Sequence, residues 1–227
     1  MTKITQGATV VEFKYDGLKR RAQRIAGGVT RDFKYANDQI MVEKEGATIV
    51  AEYMLARGMI FREAGGAKET YHFDWIGSAR ALTDGAQVVV ATNNYEAFGS
   101  VIGSTGSSGN TYKFDGEWRY RDDGDFGLLH VGARYYEPGT GRFVAADVDL
   151  GNTAQPETLN RYVYAGNNPV NNVDASGRGW RDVFRKAVGA IMIVGGAVIV
   201  LGSSPVTLTA FGGFALVAGI GVILIAI

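Results

Sequence analysis

Four stretches between residues 112 and 177 decide the fold that this sequence predicts: Tyr112-Lys-Phe-Asp-Gly-Glu, Ala133-Arg-Tyr-Tyr-Glu-Pro, Gly141-Arg-Phe and Tyr162-Val-Tyr-Ala-Gly-Asn-Asn-Pro-Val-Asn-Asn-Val-Asp-Ala-Ser-Gly. Tyr and Phe recur within them at every second place, which favours pleated, half-buried strands. Gly, Asn, Asp and Pro follow at close intervals, and these residues favour turns. The region therefore predicts small antiparallel β-hairpins that pack closely together.

The amino-terminal part of the chain shows the same alternation. Val11, Phe13 and Tyr15 share one face of a predicted strand, and an Asp-Gly pair that favours a turn follows directly. A second copy of these words, Phe33-Lys-Tyr-Ala-Asn-Asp, comes further along, with Ala36 in place of the aspartate. Both copies predict strands that end in tight turns.

In this order, the four stretches and the Phe-x-Tyr-Asp-Gly words resemble the tyrosine-aspartate (YD) repeats and the RHS repeat-associated core of rearrangement-hotspot proteins. Tyr71-His-Phe-Asp-Trp-Ile-Gly-Ser is similar to the segment that opens that core. The resemblance implies YD-repeat-like β-hairpins in residues 1–66 and an RHS repeat-associated core in residues 67–177. We therefore expect a mainly β module built as an antiparallel β-hairpin sheet, in which each repeat needs neighbours to cover its apolar face.

Charge and cysteine content exclude several classes of function. Lys plus Arg and Asp plus Glu each number 23, so the charge balance does not indicate a nucleic-acid partner. The chain has no Cys, and hence no disulfide framework and no thiolate chemistry. Its two histidines, His72 and His130, are far apart in sequence, so we predict no metal site and no cofactor.

The resemblance also implies a catalytic site. RHS cores act as intramolecular aspartic-type proteases, and their two aspartates and one arginine correspond here to Asp147, Asp174 and Arg134. Two neighbouring carboxyl groups do not readily both ionise, so one would stay protonated and polarise the scissile carbonyl while the other activates water. Arg134 would hold the ionised partner and stabilise the developing negative charge. The implied cleavage lies just after Gly177.

Several residues near this predicted site depart from the family's pattern. The family has proline after both aspartates and leucine after the last glycine, where this chain has Val148, Ala175 and Arg178. A further carboxylate, Asp149, lies close by, and the stretch Gly151-Asn-Thr-Ala-Gln-Pro-Glu lengthens the spacing between the two aspartates. These departures weigh against cleavage.

Two functions therefore stay open on the sequence. The first is a self-cleaving cap of a polymorphic-toxin or contact-dependent competition protein, for which the resemblance implies a longer RHS shell and cognate immunity or delivery proteins as partners. The second is a non-catalytic structural or surface-interaction module that is anchored to a membrane. The state of the two aspartates and the arginine discriminates between them.

Residues 178–227 have a different composition. A basic stretch ends at Lys186, and residues 187–227 contain no charged side chain. Because a membrane-spanning helix needs about 20 apolar residues, we predict a basic hinge followed by an α-helical hydrophobic hairpin that associates with a membrane. A buried core element and the start of a toxic domain inside a shell are the alternatives. The side of the membrane stays open, as does a secreted or cell-surface location.

Overall fold

The chain divides into two compact units, Met1–Gly179 and Trp180–Ile227. The structure, a computed structural model, describes residues 2–55, 59–154 and 156–179 of the chain, together with four short segments at 191–194, 197–200, 206–209 and 215–218. The two units are described separately below.

Within its described residues, the first unit contains an antiparallel sheet of eleven strands whose spatial order is their order in sequence. Its strands are β1 (Lys3–Gln6), β2 (Thr9–Tyr15), β3 (Arg21–Ala26), β4 (Val29–Ala36), β5 (Gln39–Glu45), β6 (Thr48–Leu55), β7 (Met59–Ala64), β8 (Ala67–Phe73), β9 (Ala79–Thr83), β10 (Val89–Tyr95) and β11 (Val101–Gly106). Successive strands pair as hairpins, which need only short connections. The predicted antiparallel β-hairpin sheet is confirmed, and it runs through the predicted boundary between residues 66 and 67.

One five-residue loop recurs between strands of the large sheet, and the pair Tyr15-Asp16 begins one copy of it. A hydrogen bond from the first N–H to the last carbonyl closes five-residue loops at 16–20, 74–78, 84–88 and 96–100. Where the loop begins with Asp, the carboxylate accepts further hydrogen bonds from N–H groups inside the loop. The copy with Ala36 lacks this carboxylate, and it ends in a two-residue turn in which Ala36 pairs with Gln39. An aspartate in the first place thus adds hydrogen bonds to this loop, although the loop at 96–100 closes in the same way with Glu96 in that place.

The chain after β11 folds into a smaller antiparallel sheet and short 3₁₀ turns. Within the described residues these are β12 (Arg121–Asp122), β13 (Leu129–Val131), β14 (Arg134–Glu137) and β15 (Arg142–Phe143), in that spatial order, with 3₁₀ helices at Gly116–Trp118, Pro156–Thr158 and Ala165–Asn167. The Tyr-x-Tyr segment adds one isolated bridge, Val163 to Arg142.

Aromatic side chains of the large sheet pack against aromatic side chains of the segments that follow β11, and both sets are buried there. Tyr112 belongs to a buried cluster with Tyr53 and Leu82 of the sheet, and the Tyr53 and Tyr112 rings meet edge to face at 5.2 Å. Tyr135 of β14 packs against Phe13 of β2 with the two rings tilted and their centres 5.7 Å apart. Burial of each such side chain stabilises the fold by about 1.5–3 kcal/mol.

A buried ionic network joins the large sheet to β12. Arg121 donates from Nη1 and Nη2 to the two oxygens of Glu43 at 2.6 and 2.9 Å, and from Nε to Asp123 at 2.6 Å. Asp123 also pairs with Arg21 at 2.6 Å. Burial raises the pKa of Asp123, but the two guanidinium groups lower it more, so that it lies below its usual range. These buried charges are therefore paired, as buried charges must be.

The described part of the second unit is β-structure, which corrects the prediction of an α-helical hairpin for these segments. Strands β16 (Ile191–Val194) and β17 (Ala197–Val200) pair antiparallel, as do β18 (Val206–Thr209) and β19 (Ala215–Ala218). The prediction rested on a count of apolar residues, whereas Val, Ile and Thr are β-branched and favour strands. The rest of the predicted hinge and hairpin lies outside the described residues. Among the residues that are described, no helix has the length and apolar character to cross a membrane.

Candidate functional site

Arg134, at the start of β14, lies at the centre of the candidate site. Its Nη2 atom is 2.9 Å from Oδ2 of Asp147 and 3.0 Å from Oδ2 of Asp174, so the two carboxylates are neighbours on one nitrogen. Arg134, Asp147 and Asp174 are 6%, 8% and 1% exposed. The structure thus brings together the three residues that the sequence singled out.

The remaining donors of Arg134 hold backbone carbonyl groups. Its Nε atom donates to the carbonyl of Gly177 at 2.6 Å, and Nη1 donates to the carbonyl of Arg161 at 3.1 Å. The guanidinium plane also lies over the ring of Phe143, with its carbon 3.6 Å from the ring centre. Because the planar guanidinium presents its donors in a fixed fork, it can fix two carboxylates and two carbonyls relative to one another.

Asp174 contacts the peptide bond between Gly177 and Arg178 at its nitrogen end. Its Oδ1 accepts the N–H of Arg178 at 3.2 Å, and its Oδ2 accepts the N–H of Gly179 at 2.9 Å. Burial raises the pKa of Asp174 above its ordinary value, although these N–H groups and Arg134 act in the opposite direction. The carboxyl group therefore keeps a proton to higher pH than an exposed aspartate does.

Asp147 is held mainly through its backbone. Its N–H donates to the carbonyl of Arg161 at 2.9 Å, and its own carbonyl accepts Nε of Arg161 at 2.6 Å and also Nη2. Its Oδ1 accepts the N–H of Asp149 at 3.0 Å, which leaves Oδ2 for Arg134. Asp149 is itself exposed and accepts the N–H of Gly151, so it belongs to a turn and not to the site.

Two glycines allow residues 176–177 to approach the turn between β13 and β14. Gly177 has φ +65°, and a Cβ there would lie 2.1 Å from the carbonyl oxygen of Val131; Gly132 has φ +48°, and a Cβ there would lie 2.1 Å from that of Ser176. The N–H of Ala133 donates to the carbonyl of Ser176 at 3.1 Å. A larger side chain at either glycine does not fit this backbone contact. The contact places the carbonyl of Gly177 at Arg134.

Sequence reasoning missed two residues of this site, Arg161 and Tyr120. The hydroxyl of Tyr120 accepts the N–H of Asp174 at 3.1 Å and donates to the carbonyl of the same residue at 2.8 Å. Arg161 directly precedes the Tyr-x-Tyr segment, and Tyr120 lies in the aromatic Trp-Arg-Tyr stretch. Their proximity to recognisable motifs is the only signal in the sequence, and no spacing rule links either residue to an aspartate.

The site does not have the composition of a metal centre. A guanidinium lies between the two carboxylates, and a second cation there would be repelled by it. Over the part of the chain that the structure describes, no three His, Asp or Glu side chains are grouped so that they could hold a metal ion.

A comparison with protein families decides what kind of module carries this site. The family model of the teneurin YD-shell matches residues 1–170. The chain belongs to the teneurin YD-shell family. This confirms the resemblance to RHS and YD-repeat proteins, and the matched range includes Arg134 and Asp147.

Curated relatives of this YD-shell chain are WapA proteins of Bacillus. The chain is 30% identical over 188 residues to the tRNA nuclease WapA of Bacillus subtilis strain 168, and 29% identical over 188 residues to the tRNA3(Ser)-specific nuclease WapA of Bacillus spizizenii. Each alignment covers 78% of this chain but only 8% of the relative. The YD-shell chain thus spans a small part of the length of these proteins.

Solved structures share the fold of the YD-shell chain. A crystal structure of TcdB2-TccC3 superposes with a TM-score of 0.58 at 20% identity, covering 77% of this chain and 10% of that chain. A crystal structure of TcdB2-TccC3-Cdc42 gives a TM-score of 0.59 at 22% identity, covering 80% of this chain and 10% of that chain. TccC3 also occurs in a structure of the Photorhabdus luminescens Tc holotoxin pore. At this level of identity the likeness concerns the fold.

Proposed function

We propose that this YD-shell chain carries the core of a toxin-related protein that cleaves its own backbone between Gly177 and Arg178. The observation that carries the proposal is the position of that peptide bond. Its carbonyl accepts Nε of Arg134 at 2.6 Å, and its N–H donates to Oδ1 of Asp174 at 3.2 Å. A cation at the oxygen and a carboxyl group at the nitrogen are the groups that amide hydrolysis requires.

The proposed reaction is a hydrolysis in which each residue has one role. Asp147 takes a proton from a water molecule, and the oxygen of that water attacks the carbonyl carbon of Gly177. Arg134 donates to the carbonyl oxygen as negative charge develops there. Asp174, whose pKa burial raises, accepts the N–H of Arg178 before the attack, and it gives its proton to that nitrogen once the tetrahedral intermediate has made the nitrogen pyramidal and basic, as the C–N bond breaks. The products are a carboxylate on Gly177 and an amino group on Arg178.

This assignment differs from the roles that the sequence predicts. In the aspartic-type scheme a protonated carboxyl group donates a hydrogen bond to the carbonyl of the peptide bond that is cleaved. In the structure the donor at the carbonyl of Gly177 is the guanidinium of Arg134. Asp174 contacts the leaving nitrogen instead. The proposal therefore makes Arg134 the group that stabilises the oxyanion.

Intact-mass measurement of the expressed full-length chain tests the proposal. We expect a fragment that begins at Arg178, and we expect Asp147→Asn and Asp174→Asn to keep the chain whole. Asp149→Asn is the matched control, because Asp149 lies next to the site in sequence but serves only an exposed turn. Processing that persists in both site variants would point to an outside protease acting on the basic stretch, and it would overturn the proposal.

A structural clasp is the second candidate function, and the saturation of Arg134 favours it. Each of its three side-chain nitrogens already has a partner: the carbonyls of Gly177 and Arg161, and the two carboxylates. Such a cluster can fasten residues 174–179 to the module without any chemistry. A chain that stays whole at every pH, but loses stability when Arg134 is replaced, would identify the clasp.

The proposal includes a sheet that continues in a longer RHS shell. Within the described residues β1 and β11 each pair on one side only, and Val101 and Ile102 of β11 are 52% and 64% exposed. An uncovered apolar edge invites pairing with another strand. The much greater length of the relatives is in line with further strands. Immunity or delivery partners, and membrane association through residues 187–227, remain proposals that rest on the sequence.

A further inference from the structure

A line of four buried residues leads from the interior of the module to the backbone of Asp174. Asp115, Tyr120 and Tyr164 are 0% exposed and Asp174 is 1% exposed. The hydroxyl of Tyr164 donates to Oδ2 of Asp115 at 2.5 Å, and the rings of Tyr164 and Tyr120 pack edge to face with their centres 6.1 Å apart. Tyr120 in turn holds both the N–H and the carbonyl of Asp174. Asp115 is thus connected to the candidate site through the side chains of two tyrosines that contact each other.

Asp115 does not belong to the ionic networks described above. Its Oδ1 accepts the hydroxyl of Ser78 at 3.0 Å, and the same hydroxyl accepts the N–H of Asp115 at 3.0 Å. Burial raises the pKa of Asp115 to about 7, a nearby carboxylate, Asp74, raises it as well, and the hydrogen bonds from Tyr164 and Ser78 act against this rise. Among the described residues, Tyr95, Tyr120 and Tyr136 also face Asp115, whose charge raises the pKa of each of these tyrosines beyond the effect of burial. This carboxyl group therefore changes its charge near neutral pH.

We infer that Asp115 is a positioning residue of the proposed self-cleavage site, acting through Tyr164 and Tyr120 on the backbone of Asp174. The inference rests on the proposed function. When Asp115 is protonated it can donate to Tyr164, which leaves the proton of Tyr164 free to turn towards Tyr120, while Tyr120 donates to the carbonyl of Asp174. An ionised Asp115 instead accepts a hydrogen bond from the hydroxyl of Tyr164. The hydroxyls of Tyr164 and Tyr120 can then form a hydrogen bond only if Tyr120 is the donor, and Tyr120 must then give up its hydrogen bond to the carbonyl of Asp174.

Cleavage measured against pH provides the first test. We expect the unmodified full-length chain to cleave faster below pH 7 than above it, with an inflection where Asp115 titrates. Tyr120→Phe and Tyr164→Phe should lower the rate about 10- to 100-fold, as expected for a displaced reacting group, and should remove that inflection. Asp115→Asn should also remove it, because the amide does not titrate.

Tyr136→Phe is the matched control for the two tyrosine variants. Tyr136 is buried in the same aromatic cluster, and its ring centre lies 4.4 Å from that of Tyr164, but its hydroxyl donates to the carbonyl of Phe98, outside the line. We expect this variant to cleave within about twofold of the unmodified chain and to keep the inflection. Equal effects of Tyr136→Phe and Tyr120→Phe would show that these tyrosines contribute only to core packing, and they would overturn the inference.

A second measurement detects the coupling between Asp115 and Asp174 and does not require cleavage. In the full-length chain labelled with ¹³C at the aspartate carboxyl groups, the resonance of Asp174 should show an inflection at the pH where Asp115 titrates. Tyr120→Phe should abolish this inflection, although it leaves the charge of Asp115 in place. If the inflection survives in Tyr120→Phe, direct electrostatics explains it and the inference fails. A link seen by this measurement in a chain that never cleaves would support the positioning role while refuting self-cleavage.

Discussion

Replacement of Arg134 by Gln tests the ionic centre of the site. The change leaves Asp147 and Asp174 buried together without the cation that lies 2.9 and 3.0 Å from them, and it removes the donor to the carbonyl of Gly177. Loss of one partner from a buried ion pair costs about 3–5 kcal/mol, and we expect a decrease of that size in the free energy of unfolding at pH 7. For a domain of this size, the melting temperature should fall by roughly 10 °C.

The loss of stability should become smaller in acid. Burial raises the pKa of Asp174 and Arg134 lowers it, so the pKa rises further when Arg134 is removed. A carboxyl group whose pKa is higher in the folded than in the unfolded chain contributes stability that is fully present below about pH 4 and is lost as the pH rises through the folded pKa. The deficit of Arg134→Gln relative to the unmodified chain should therefore shrink between pH 7 and pH 4.

Urea unfolding followed by tryptophan fluorescence at pH 7 and pH 4.5 measures both effects. Arg142→Gln is the control, because Arg142 is an exposed arginine on the neighbouring strand β15, and its replacement should change the stability by no more than about 0.5 kcal/mol. Equal losses in the two variants, or a deficit of Arg134→Gln that does not depend on pH, would refute a buried ionic centre.

Three further predictions concern Gly177, Asp115 and the carboxyl-terminal tail. Gly177→Ala should destabilise the chain by about 2 kcal/mol or more in thermal unfolding, because its Cβ would lie 2.1 Å from a carbonyl oxygen at φ +65°, whereas Gly139→Ala, with open space around it, should have little effect. Asp115→Asn should flatten the stability of the chain between pH 4 and pH 7 in denaturant titrations, since a pKa raised to about 7 gives stability that is present below about pH 4 and lost as the pH rises through 7. The full-length chain should fractionate with membranes and resist carbonate extraction, because apolar side chains left in water cost about 1.5–3 kcal/mol each, while a chain ended at Gly179 should stay in the supernatant. A full-length chain that is a monomer in plain buffer would refute membrane association.

The sheet could be predicted because its signals are local. Alternating aromatic residues specify a strand face, and an aspartate after the aromatic residue specifies the loop through hydrogen bonds to its own neighbours in sequence. The copy with Ala36 lacks this carboxylate and ends in a two-residue turn, whereas the loop at 96–100 keeps five residues with Glu96 in the first place. Such determinants lie within about five residues of one another, so a sequence displays them directly.

The detail of the site could not be predicted in the same way because its partners are distant in sequence. Motif order indicated Arg134, Asp147 and Asp174, but no pattern links Tyr120 to Asp174 or Asp115 to Tyr164. The two glycine contacts depend on how the turn before β14 meets residues 176 and 177. The helical-hairpin prediction was wrong for the four described segments of the tail for another reason: hydrophobicity alone does not distinguish an apolar helix from short apolar strands, and the β-branched content of these segments favours strands.

The buried ion pairs of the first unit specify how its segments align, which apolar packing alone does not specify. Aromatic burial supplies most of the favourable free energy at the seam between the sheet and the later segments, but it is non-directional and tolerates small shifts. Buried ion pairs add little net stability, yet their hydrogen bonds are satisfied in a single alignment. Arg121 meets Glu43 where β12 joins the sheet, and Arg134 meets its carboxylates where residues 174–179 join β14. We infer that the Arg121 cluster fixes β12 and the segments after it on the large sheet. The Arg134 cluster then fixes the peptide bond between Gly177 and Arg178 to within the length of a hydrogen bond, which both cleavage and a structural clasp require.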